Sequence, residues 1–164
     1  HVMARRQRQM CIRDSYINIP TNFGSMNKYS FEWVENASSI NRMPIAGRTN
    51  TNFYKYGANS WRYKHGGTLG EYYHTTGATS GWHHWVVSYD GARLKIYQDN
   101  VLIGNTVPHL GSADFSDGLK VGYWSAGGNY AFDGPIPVMR FYDNALTAEE
   151  VKNNFNAYKN RFNI

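Results

Sequence analysis

The stretch that decides the fold runs from Gly81 to Gly104, GWHHWVVSYDGARLKIYQDNVLIG. Its apolar and aromatic residues come in short blocks, and each block ends in turn chemistry: Asp90-Gly91 after the first, Asp99-Asn100 after the second. β-branched and aromatic residues suit a pleated, half-buried surface, and Asn accepts the positive φ of a two-residue primed turn. The spacing therefore predicts three antiparallel strands joined as a meander. In the first, successive residues alternate faces, so His83 and His84 cannot chelate one ion together and are expected to pack on the two faces of a central strand with Trp82 and Trp85. Ser88 has no adjacent base and no nucleophile-elbow glycines, and reads as a strand residue.

The same alternation extends outward. Upstream, YSFEWV places Tyr29, Phe31 and Trp33 on one face and Ser30, Glu32 and Val34 on the other, the period of a half-buried strand, and YINIP offers Ile17 and Ile19 before Pro20. Between Asn36 and Ser80 the chain is rich in Asn, Thr, Gly and Tyr, with WRYKH and EYYHT as strand candidates. Downstream come GLKVGYW, a glycine-rich turn at residues 126–129, and IPVMRFYD, whose Pro137 suits an edge or a strand start. Thr147 and Glu150 have the spacing of a capping box, and Val151, Phe155 and Tyr158 follow at i, i+4 and i+7 as the stripe of one closing helix. The expected class is all-β, an antiparallel two-sheet β-sandwich (jelly roll) with one short C-terminal helix.

Composition agrees. Aromatics make up 16% and charged residues 18% of 164 residues, a profile of strands and tight turns in one domain. The net charge of +5 suggests an anionic partner until its distribution is read: Arg5, Arg6, Arg8 and Arg13 precede the first acidic residue, leaving 13 basic against 12 acidic residues in the body. No nucleic-acid partner is expected, because no basic stripe interleaved with aromatics remains. No apolar run reaches the roughly 18 residues of a membrane span, so no membrane partner is expected either. The one cysteine, Cys11, excludes an intramolecular disulfide. Residues 1–15, HVMARRQRQMCIRDS, lack any apolar period, and they resemble a cloning remnant followed by a translated sequencing-adapter scar. They read as a disordered tail foreign to the domain at 16–164, or else as a basic arm that orders on a partner.

With these motifs placed, a family resemblance is visible. GWHHWVVSYDG followed by RLKIYQDNVLIG resembles the W-H-H-V and Y-D-G pattern of the laminin G-like, concanavalin A-like jelly roll. LKVGYW matches that family's l-x-i-G strand, and FDGPIPVMRFYDNALTAEEV its closing segment. Asn100 stands where the family usually has Gly, Pro137 where it often has an acidic residue, and Trp85 where it usually has Val. The ending NNFNAYKNRFNI is similar to such domains in phage and viral structural proteins, with a bacterial surface protein as the other setting. The resemblance implies a virion, extracellular or cell-surface location.

Fold alone accommodates lectins and glucanases, so the residues must decide. Hydrolysis needs two carboxyls on one side of the sugar. Glu32 and Glu35 fall on opposite strand faces, the glucanase Glu-x-Asp pattern is absent, and no enzyme is expected. Calcium, which relatives of this fold often hold, has Asp114, Asp117, Asp133 and Asp143 as loop candidates, although isolated turn aspartates normally bond their own backbone. No cofactor is otherwise expected. Sugar binding needs aromatic platforms beside hydroxyl-fixing polar groups. Trp61, Tyr63 and His65 share one face of WRYKH, with Tyr72 nearby, while Trp124, Asn129 and Tyr130 surround the glycine-rich turn. The expected role is a non-catalytic carbohydrate-binding or adhesive module for a glycan or cell-surface polysaccharide. The alternatives are a structural domain that self-associates or packs on virion subunits, and, more distantly, a β-glucan hydrolase.

Overall fold

A computed structural model of the chain describes residues 11–12, 17–37, 45–47, 52–55, 60–65, 68–73, 80–106, 111–124 and 130–164. Two antiparallel sheets carry the architecture. One has five strands in the order Val101–Thr106, Leu94–Gln98, Gly81–Tyr89, Tyr29–Ala37, Val138–Tyr142. The other has six, in the order Ile17–Ile19, Leu119–Val121, Ile45–Gly47, Asn52–Lys55, Ser60–His65, Thr68–Tyr73. The meander predicted from Gly81 onward is present, and Asp99 and Asn100 take φ of 49° and 66° in the turn between its second and third strands, the positive values that a primed hairpin turn requires.

The core is aromatic. Tyr29, Phe31 and Trp33 from one central strand and Trp85, Val87 and Tyr89 from its neighbour are at most 1% exposed, and they meet Phe53, Leu119 and Val121 of the six-stranded sheet. Rings of Tyr29, Phe31, Phe53 and Phe115 contact one another with centroids 5.1 to 6.1 Å apart, mostly edge to face, an arrangement that adds to simple burial. Trp85, the departure from the family pattern, lies parallel to Trp33 at 6.2 Å.

The closing helix spans Ala148–Phe162, with Thr147 as N-cap in a complete capping box with Glu150. It lies on the outer face of the five-stranded sheet, and this corrects one expectation. Ser30, Glu32 and Val34 were to occupy the wetter side of a half-buried strand, yet all three are 0% exposed. The stripe of Val151 and Tyr158, both buried, covers the sheet there. Ser30 and Ser88, opposite each other in the ladder, hold the chain entering the helix: Leu146 N donates to Ser30 Oγ at 2.9 Å, and Ser88 Oγ donates to Leu146 O at 3.1 Å. GLKVGYW is divided, because Gly122 at φ 82° separates Leu119–Val121 from Tyr123–Trp124. Within the segment read as a tail, Cys11 and Ile12 form a short ladder with Pro135 and Gly134. No helix among the described residues is long and apolar enough to cross a membrane.

Candidate functional site

The register places the sequence-predicted residues. Trp61 lies opposite Tyr72, Tyr63 opposite Gly70 and His65 opposite Thr68 in the hairpin Ser60–His65/Thr68–Tyr73. On its other side Tyr63 lies opposite the core residue Phe53, so these alternate positions belong to the same sheet face as Phe53. Trp124 pairs with Tyr130 in a second, two-residue ladder. Asn129 lies outside the described residues. The positions thus form two groups, one in the hairpin of the six-stranded sheet and one at the short ladder flanking residues 125–129.

The carboxylates of the Tyr29–Ala37 strand separate as alternation requires. Glu35, fully buried, accepts a hydrogen bond from Trp33 Nε1 at 3.1 Å. Glu32 is on the helix side, where His84 Nε2 lies 2.9 Å from Oε1, and Tyr142 Oη and Asn154 Nδ2, the latter at 3.2 Å, donate to Oε2. Arg140 Nη1 stands 3.5 Å from the same oxygen and its guanidinium lies over the Tyr158 ring. Burial first, and the Glu32 charge next, push the phenols of Tyr142 and Tyr158 above the ordinary tyrosine range. These two carboxyls face opposite sides of one strand and cannot flank a glycosidic bond together.

The histidines separate in the same way. His84 is buried beneath the helix rings of Phe155 and Tyr158, at 5.9 and 5.8 Å. His83 is near the rim, with Asp99 Oδ2 2.7 Å from its Nδ1, while Asp99 Oδ1 accepts from His84 N at 2.8 Å. Asp99 therefore fixes both the turn and the His83 ring. Among the loop aspartates, Asp114 accepts from Ser116 N at 3.0 Å, bonding its own turn. Sequence reasoning missed the Glu32–His84–Tyr142–Asn154 network. The available signal was Asn154, a polar residue set between Val151 and Tyr158 on the helix's apolar stripe.

Two antiparallel sheets around an aromatic core, with one helix on an outer face and the two strand glutamates separated, define a jelly-roll domain of lectin-like architecture. A family model described as the concanavalin A-like lectin/glucanases superfamily matches residues 13–152, and the chain belongs to that superfamily. Similar solved structures include a putative carbohydrate binding protein from Bacteroides ovatus, at TM-score 0.69 and 18% identity, covering 84% of this chain and 43% of that one. A heptameric SAP-like pentraxin from Limulus polyphemus matches at TM-score 0.64 and 13% identity, over 83% and 73% of the two chains. The CBM40 of a Ruminococcus gnavus IT-sialidase, bound to α2,3-sialyllactose, matches at TM-score 0.60 and 14% identity, over 88% and 98%. At these identities the likeness is one of fold, and the chain spans less than half the length of the Bacteroides protein. No curated protein sequence matches it.

Proposed function

We propose that this chain is a non-catalytic carbohydrate-binding module of an extracellular, virion or bacterial surface structure. The observation that carries the reading is the pairing of Trp124 with Tyr130 at the stem of residues 125–129. Directly opposed residues in an antiparallel ladder have Cβ atoms about 5 Å apart, so two aromatic residues there supply a platform of the size a pyranose face needs. Trp61, Tyr63, His65 and Tyr72 share the face of the core residue Phe53 by register, so the reading rests on the Trp124–Tyr130 pair and not on this hairpin. The likeness to the putative carbohydrate binding protein and to the CBM40 bound to α2,3-sialyllactose supports the reading. A glycan array run with and without calcium tests it, and calcium is included because Asp114, Asp117, Asp133 and Asp143 offer carboxylate oxygens. Saturable binding that disappears in Trp124→Ala is the expected result. Silence across the array would overturn the reading.

One observation favours assembly instead. Val101 and Leu102 are 61% and 46% exposed at the start of an edge strand, Val101–Thr106, that has no Lys, Pro or other charge to discourage pairing. In that reading the strand joins neighbouring subunits, and Val101→Lys converts a concentration-dependent oligomer to monomer in light scattering.

A further inference from the structure

Between the helix and the five-stranded sheet lie two polar atoms that the Glu32 network does not use. His84 is 0% exposed and Tyr158 is 7% exposed. The ring nitrogen Nδ1 of the first and the hydroxyl of the second are both buried, and neither has a hydrogen-bond partner among the described residues. The other ring nitrogen of His84, Nε2, is engaged by Glu32 Oε1 at 2.9 Å. Whether Nδ1 presents a lone pair or an N–H, burial takes from it the bond it makes in water, and the same holds for the phenol. Folded chains leave few buried groups in that condition, because each one is destabilising by the full desolvation of the group.

The fold brings these two side chains together. The alternation that sends His83 to the rim turns His84 toward the helix, where its ring meets that of Tyr158 with centroids 5.8 Å apart and planes tilted by 40°. Phe155, three residues before Tyr158, lies 5.9 Å from the same imidazole. Arg140 reaches in from the edge strand and sets its guanidinium over the Tyr158 ring at 5.3 Å. The surroundings are thus aromatic, with a cation at the border. Two hydrogen bonds of about 2.8 Å through one shared oxygen span up to about 5.6 Å, the scale of the ring separation. The smallest ligand that both donates and accepts over such a span is a water molecule, and buried waters characteristically join polar groups that the protein leaves otherwise unsatisfied.

We infer that the helix–sheet layer binds one internal water molecule, which joins Tyr158 Oη to His84 Nδ1. The site extends the Glu32 network into a chain that runs from Glu32 through His84 and the water to Tyr158. Asn154, four residues before Tyr158 on the same helix, donates to Glu32 directly at 3.2 Å. The helix is therefore fastened to the sheet at two points one turn apart, one by a direct bond and one through solvent. A bridged bond of this kind is nearly as favourable in enthalpy as a direct one, and inside a dry layer it gains from the low local dielectric.

The test uses the intact chain and has two readouts. In urea unfolding, removing a buried hydroxyl that has no partner leaves stability unchanged or raises it, whereas removing one that a water bridges strands the water and Nδ1. Tyr158→Phe is therefore expected to lower the urea midpoint, with the folding equilibrium constant reduced about five- to thirtyfold. The second readout needs no variant: water-selective nuclear Overhauser spectroscopy on the unaltered chain should show a long-lived water in contact with the His84 ring protons, and that contact should vanish in Tyr158→Phe. A midpoint unchanged or raised in Tyr158→Phe would overturn the inference. So would a His84 ring without a water contact, which together with a lowered midpoint would mean a direct bond between Tyr158 and His84. A water contact that persists in Tyr158→Phe would overturn the bridge as well.

Discussion

Glu32 has no exposed surface, and it holds together groups from three elements: His84 of the adjacent strand, Tyr142 of the sheet edge and Asn154 of the helix. Removing one member of a buried charged network strands its partners, at a cost of about 3 to 5 kcal/mol, while a polar isostere retains some of the bonds. Glu32→Ala should therefore lower the free energy of urea unfolding by about that amount and Glu32→Gln by clearly less. Equal effects from the two variants would show that the contribution is packing and not hydrogen bonding. The neighbouring phenols give the network a pH signature. Burial, then Glu32, raises the folded values of Tyr142 and Tyr158, whereas in the unfolded chain both ionise near pH 10. Stability from this source is complete below about pH 10 and is lost as pH climbs from there toward the folded values. Tyr142→Phe should flatten the fall of the urea midpoint above about pH 9, and an equally steep fall in the variant would contradict this assignment. At Gly134 the constraint is steric. A Cβ there, at φ 146°, would stand 2.0 Å from Asn36 O, which accounts for the glycine in the FDG motif.

The closing helix is an element whose start is fully written in the sequence. Thr147 accepts from Glu150 N at 3.3 Å and Glu150 accepts from Thr147 N at 2.8 Å, and that backbone bond, with the Thr147 hydroxyl after it, holds the Glu150 carboxyl below its ordinary range. Thr147→Ala should cost about 1 kcal/mol in unfolding and leave the sheet signal of circular dichroism intact. A loss several times larger would mean that the cap also fixes the helix to the sheet. The meander was equally legible. Asp90 accepts from the N–H groups of Ala92 and Arg93 at 2.9 and 2.7 Å, beside Gly91 at φ 95°, so the Y-D-G motif is turn chemistry that local residues specify. What local patterns do not specify is which sheet the helix covers. Ser30, Glu32 and Val34 have the alternation of a strand with one wet face, and only the arrival of Val151 and Tyr158 from over a hundred residues away makes that face dry. Trp61, Tyr63 and His65 raise the same difficulty. Their shared face was readable from spacing, but that it is also the face of Phe53 became visible only through the ladder.

For the whole molecule, two sheets enclose the aromatic core, and the helix closes the outer face of the five-stranded one. The helix side carries the buried Glu32 network, and the proposed reading puts recognition at the Trp124–Tyr130 pair. The separation of Glu32 from Glu35 was legible because they are three residues apart in a strand, an odd spacing that alternation cannot bring to one side. A ligand was not legible, since a binding surface is assembled from side chains of distant strands whose proximity no local pattern encodes. The direct test of the central claim is calorimetric titration of the intact chain with an oligosaccharide selected from the array, followed by mass analysis of that ligand after prolonged incubation. Saturable binding with the oligosaccharide recovered at its original length is the predicted result. A shortened oligosaccharide, or no heat of binding with any glycan, would contradict a module that holds sugar without cutting it.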